Sequence, residues 1–136
     1  NPDYKKTQAD DLQNMQTGIF GYKGRVHFQT APCINEALKS FDRSLPKPEL
    51  FARVSALLDA GIHANYRLYP NNYVAHDLLT ATREFASHYT EADEKRFAAY
   101  LEQQLSRIDL PGKDEDFLRT KLLQMYANPL TNYLKV

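Results

Sequence analysis

Apolar residues change their spacing once along the chain, near residue 33, and the change divides it into two unequal parts. Up to about Gln16 the residues are strongly polar, with Tyr4, Leu12 and Met15 the only large apolar ones. The spacing predicts a polar helix with a stripe too narrow to bury much surface. Asn1 and Pro2 suit a helix cap and first position, so the helix is expected to begin at the first residue. That opening, without methionine, is the expected mark of a piece cut from a longer protein. Thr17 to Gly24 holds three glycines and predicts a flexible turn. Arg25-Val26-His27-Phe28-Gln29-Thr30 then alternates, with Val26 and Phe28 on one face and His27 on the other. It predicts a short β-strand, stopped by Pro32. A lone strand needs a partner, and no other stretch offers one of equal quality.

From Ile34 onward the period is helical. Ile34, Ala37, Leu38 and Phe41 form one stripe. Pro48 starts a second helix that buries Leu50, Phe51, Val54, Leu57 and Leu58, with Gly61 as its left-handed C-terminal cap. After an extended stretch from His63 to Tyr69, Pro70 opens a helix carrying Val74, Ala75, Leu78, Leu79 and Phe85. Thr90 caps the next, with Glu91, Asp93 and Glu94 in its first turn and Phe97, Leu101, Leu105 and Ile108 as its stripe. The last runs from Asp114, buries Phe117, Leu118, Leu122, Met125 and Tyr126, and is expected to stop near Ala127 because Pro129 follows. The predicted fold is mainly α. Four to five packed helices occupy residues 33–136, after a polar helix and one short β-strand in 1–32 that belong to a larger α/β domain.

Composition narrows the function. Seventeen basic and seventeen acidic residues leave no net charge, so a general nucleic-acid partner is not expected. No apolar run reaches the roughly 20 residues that span a bilayer. The single cysteine, Cys33, has no internal partner and no obvious neighbouring base, which fits a reducing, cytoplasmic setting and no nucleophilic role.

Few residues suggest chemistry. The four histidines, His27, His63, His76 and His88, lie at no metal-ligand spacing, so no zinc site is expected. His88 precedes Asp93 by five positions, which resembles the catalytic signature of glycerolipid acyltransferases, where an imidazole acts as general base and a carboxylate fixes its tautomer. Chance supplies roughly 0.3 such pairs in a chain of this composition. Thr90 and Asp93 also read as a helix cap and its first-turn acid, so His88 and Asp93 are weak catalytic candidates. Lys23 and Arg25, beside Tyr22 and Gly24, form a candidate contact for a phosphate or an anionic headgroup. Tyr66, Tyr69 and Tyr73 with Arg67 suit either a stacking platform or the rim of a helical core. Asp114-Glu115-Asp116 reads as an acidic helix start rather than a metal site.

The run Gly24 to Pro32 resembles a late segment of the PlsC-like glycerolipid acyltransferase domain, where Gly-Arg/Lys-Val opens an alternating strand that leads to a proline and a helix. Val26, Phe28 and Pro32 match that pattern, whereas Gln29 and Thr30 stand where the family usually has glycine. The opening Asn1 to Lys6 and the segment Leu68 to Ala75 are similar to C-terminal regions of 1-acylglycerol-3-phosphate acyltransferases from Bacteroidetes, a group also labelled hemolysins. The resemblance implies a non-catalytic C-terminal part of an acyltransferase that is peripheral to the cytoplasmic face of the inner membrane. The catalytic His/Asp pair would lie in the remainder of the parent domain. Acyl-CoA or acyl carrier protein would be the acyl donor, and a lysolipid or glycerophosphate hydroxyl the acceptor. No cofactor is expected in this part itself, and partner contacts would be to the parent domain, the lipid and the membrane surface. The alternative is a helical protein-interaction module without enzymatic activity, docking through apolar faces near Tyr66 to Tyr73.

Overall fold

A computed structural model of the protein describes residues 5–136, and the expected cap at Asn1 and Pro2 lies outside the described residues. Six α-helices follow one another: α1 (Gln8–Phe20), α2 (Asn35–Lys39), α3 (Lys47–Ala64), α4 (Pro70–Thr80), α5 (Glu91–Ser106) and α6 (Glu115–Tyr133). A single 3₁₀ turn, Ala86–His88, lies between α4 and α5. Among the described residues there is no β-strand.

The predicted strand is therefore corrected. Among the described residues, 25–30 have no regular structure and no ladder partner, and Val26 and Phe28 remain 62% and 89% exposed. Alternation alone does not make a strand. A strand also needs a second backbone to satisfy its amides and carbonyls, and among the described residues none pairs with this one. The glycine-rich stretch is corrected too. Thr7 and Asp10 form a reciprocal capping box, and α1 continues through Gly18 to Phe20 without burying a residue.

The core belongs to α4, α5 and α6, with α4 packed most extensively on α6. Val74 and Ala75 of α4 meet Phe97 and Leu101 of α5 and Leu123 and Ala127 of α6, all buried. Leu105 and Leu130 are buried as well. Removing each large side chain of this set from water contributes about 1.5–3 kcal/mol. α3 touches α6 lightly and buries no residue.

α5 forms as its sequence dictates. The backbone N–H and hydroxyl of Thr90 both donate to Asp93 Oδ2, at 2.9 and 2.7 Å, and Asp93 N–H returns a bond to Thr90 Oγ1. Phe97, Leu101 and Leu105, spaced by four, lie on the buried face. α6 departs from expectation twice. Pro129 sits inside the helix, which runs on to Tyr133. Proline cannot donate to the carbonyl of Met125 and costs about 3 kcal/mol in a helix interior. Burial of Ala127 and Leu130 on either side offsets that cost, and Asn72 Nδ2 donates to the neighbouring Tyr126 carbonyl at 2.8 Å. The buried face is also turned relative to the predicted one: Leu123, Ala127 and Leu130 point inward while Phe117 and Met125 are exposed.

Two further boundaries shift. Gly61 lies within α3 rather than capping it, and a Cβ there would meet Ala31 Cβ at 3.4 Å, so the extended segment runs along this helix. Phe85 lies beyond α4, which ends at Ala81 in the left-handed conformation (φ 53°, ψ 40°). Leu78 and Leu79 of α4 are exposed; the inward positions at this end include Asp77.

Asp77 holds the turn after α4. Its carboxyl oxygens accept from Tyr89 Oη at 2.8 Å, from the Phe85 amide at 3.1 Å and from Thr82 Oγ1 at 3.2 Å, while its carbonyl accepts from the Thr82 amide at 2.9 Å. Burial, and then the bond to Asp77, raise the Tyr89 hydroxyl above its ordinary pKa. Ala81 is the strained point, since an L-residue in the left-handed region costs about 1–2 kcal/mol. Ala81→Gly is therefore expected to stabilise the protein by about 1 kcal/mol after glycine's extra chain entropy is subtracted, raising the urea midpoint without changing the slope.

Candidate functional site

The N-terminal segment and the helical core meet at one groove. Gly21 ends α1, and its amide donates to the Thr17 carbonyl at 3.0 Å. Lys23 folds back over that end, its Nζ donating to the carbonyls of Gly21 at 2.9 Å and Thr17 at 3.4 Å. A cation there favours both the unpaired carbonyls and the negative end of the helix dipole. Gly24 follows at φ +66°, a conformation that side chains disfavour, and bends the backbone between Lys23 and Arg25. The Arg25 guanidinium then lies over the Tyr69 ring, 5.8 Å from its centroid, and Arg67 lies 5.9 Å from the same centroid.

Tyr69 is fixed because its amide donates to Asn72 Oδ1 at 2.8 Å just before Pro70 starts α4. On the opposite side α5 contributes Asp93, Arg96 and Tyr100, and α6 contributes Tyr126. Together these residues enclose a groove of about 550 Å³. Tyr100 and Tyr126 share a hydroxyl hydrogen bond of 2.6 Å. Burial, and then this bond, push the Tyr126 hydroxyl well above the ordinary tyrosine range. Phe97 supports the pair from below, its ring edge-on to Tyr126 at 5.2 Å.

The structure places the candidates from sequence in different surroundings. Asp93 reaches the groove wall with both carboxyl oxygens engaged: Oδ2 with Thr90 and Oδ1 with Arg96, at 2.6 Å. Bonds from the Thr90 hydroxyl and amide, and then Arg96, hold its carboxyl below the usual carboxylate range. His88 lies in the 3₁₀ turn, stacked on Tyr73 at 4.4 Å between centroids, and no hydrogen bond joins it to Asp93. A base and its orienting carboxylate are therefore not assembled here. Lys23 and Arg25 do converge on one groove. Of the three tyrosines read as a group, Tyr69 lines the groove, Tyr73 packs with Phe85 and His88, and Tyr66 lies beside His63.

Arg96, Tyr100 and Tyr126 are the members that sequence reasoning missed. The first two lie four residues apart, which puts them on one face of α5, but nothing local ties that face to Tyr22–Arg25. A second depression, about 420 Å³, separates α3 from the extended segment and is lined by His27, Pro32, Leu57, Leu58, Ile62 and Tyr66 among others. Cys33 is exposed. Among the described residues no group of three or more His, Cys, Asp or Glu could hold a metal ion, and no helix is long and apolar enough to cross a membrane. The chain matches no protein-family description, no curated protein and no solved structure.

Proposed function

We propose that this chain is the non-catalytic C-terminal part of a bacterial lipid acyltransferase, with the segment around Val26 and Phe28 covered by the catalytic domain. One observation supports the reading: residues 22–33 are exposed throughout, Val26 and Phe28 among them, and α1 before them buries nothing. Exposed apolar side chains beside unpaired backbone have two unmet needs, and a docked domain satisfies both. The core of α4, α5 and α6 is complete without this segment. On this reading the parent enzyme moves a fatty acyl group from acyl-CoA or acyl carrier protein to a lysolipid or glycerophosphate hydroxyl, working at the inner membrane from the cytoplasmic side. The alternative, a helical interaction module without enzymatic activity, draws on the exposed stripe Leu12, Met15 and Ile19 of α1.

The test is acyl transfer to a lysolipid by the chain alone and by the product of its complete reading frame. The chain alone is expected to be inactive and the complete product active. Val26→Asp with Phe28→Asp in the complete product is expected to lower turnover while the core helices stay folded. A reading frame that encodes no acyltransferase domain, or a complete product with no turnover on any acyl donor, sinks the proposal.

A further inference from the structure

We propose that the groove between residues 22–25 and the start of α4 binds a phosphate monoester. The inference rests on the groove's own geometry and does not depend on the acyltransferase reading. Its charge is the first argument. Lys23 donates only to neutral carbonyls, and Arg25 lies over a neutral ring. Among the described residues neither forms an ion pair with a carboxylate. The one carboxylate in the wall, Asp93, is already neutralised by Arg96 at 2.6 Å. Two cations with no carboxylate partner among the described residues therefore line one concavity, and a phosphate monoester carries about −1.5 to −2 at neutral pH. Arginine adds a planar fork that suits two phosphate oxygens, and lysine a movable point charge.

Shape is the second argument. At about 550 Å³ the groove falls inside the range of roughly 300–1,000 Å³ typical of small-molecule sites. Its walls are tyrosine rings, so it offers faces for an organic group as well as charge for the phosphate. The Tyr100–Tyr126 pair has two hydroxyl hydrogens and uses one internally, leaving the other to donate to a ligand oxygen. Tyr22, 98% exposed, also lines the groove and offers an uncovered ring. Gly24, between Lys23 and Arg25 in the lining, adopts a left-handed conformation that favours glycine.

Such a phosphate could belong to a nucleotide or to a glycerolipid headgroup, and two soluble probes separate these sources. The whole chain would be titrated calorimetrically, at low salt, with adenosine 5′-monophosphate and with glycerol 3-phosphate. Saturable binding of at least one is expected, and the tighter of the two identifies the source. The double variant Lys23→Gln, Arg25→Gln is expected to weaken it about tenfold or more. These are exposed side chains, so far-UV circular dichroism should be unchanged. Arg25→Lys should restore part of the loss, and Tyr100→Phe combined with Tyr126→Phe, which removes both hydroxyl donors, should weaken binding several-fold without unfolding the core. Acidification from about pH 7.5 to 5 should also weaken binding, because the phosphate then loses a charge. Absence of saturable binding by both probes overturns the proposal. So does affinity that survives the double variant, or equal affinity for an acidic peptide without phosphate.

Discussion

Asp77→Ala is expected to lower the stability of the protein by about 3 kcal/mol, measured as a shift of the urea-unfolding midpoint. Asp77 is 3% exposed, and its carboxyl oxygens serve the amide of Phe85 and the hydroxyls of Tyr89 and Thr82. Alanine removes the acceptor of the partly buried Phe85 amide and Tyr89 hydroxyl, while the exposed Thr82 hydroxyl can turn to water. The cost is then the desolvation of unsatisfied groups rather than the modest net value of each bond. Asp77→Asn should cost less, about 2 kcal/mol, because one oxygen remains, but its amide group must face either Thr82 or the Phe85–Tyr89 side. Tyr89→Phe, which removes only the hydroxyl, should be milder still. Equal midpoints for wild type and Asp77→Ala would show that the turn between α4 and α5 is held by something else. The turn matters because it sets where α5 begins, and α5 carries Asp93, Arg96 and Tyr100 to the groove.

The second large effect separates the two faces of α6. Leu130→Ala is expected to cost about 3 kcal/mol and Met125→Ala less than about 0.5 kcal/mol, although the substitutions lie five residues apart in one helix. Leu130 is 1% exposed, so its removal loses transfer energy and leaves a cavity; Met125 is 55% exposed and leaves neither. Thermal unfolding of the two variants would settle the register. A cost of several kcal/mol at Met125 with none at Leu130 would mean that the helix is rotated, with the face read from Phe117, Leu122 and Met125 turned inward. It would also disturb the groove, since Tyr126, which bonds to Tyr100, lies next to Ala127 of the core.

That pair of residues also shows where sequence reasoning reached its limit. Leu118, Leu122, Met125 and Tyr126 make a plausible helical stripe, and so do Leu123, Ala127 and Leu130. Periodicity fixes that the segment is helical, but a helix rich in apolar residues offers more than one face. The choice came from α4, whose Val74 and Ala75 are small enough for close approach by Ala127. Pro129 illustrates the same point. A local rule ends the helix before it, whereas burial of Ala127 and Leu130 on either side, and a bond from the Asn72 side-chain amide to the Tyr126 carbonyl, support the helix through it. Asp77 was invisible for a related reason, since an aspartate in a helix looks solvated until a loop folds over it.

What the sequence determined by itself is local. Thr90 and Asp93 form a complete capping box within four residues, so the start of α5 and its buried positions Phe97, Leu101 and Leu105 were legible in advance. The polar character of α1 was legible too, because side-chain spacing governs it. The strand read at residues 25–30 was not there: alternation suggests a strand, while a strand exists only where a second backbone supplies hydrogen bonds, and among the described residues none does. The groove belongs wholly to tertiary structure. Lys23, Arg25, Tyr69, Arg96 and Tyr126 span more than a hundred residues, and they meet because hydrophobic burial brought α4, α5 and α6 together beside the turn at Gly24. Contacts of that kind follow from the packing of surfaces, which no short stretch of chain encodes.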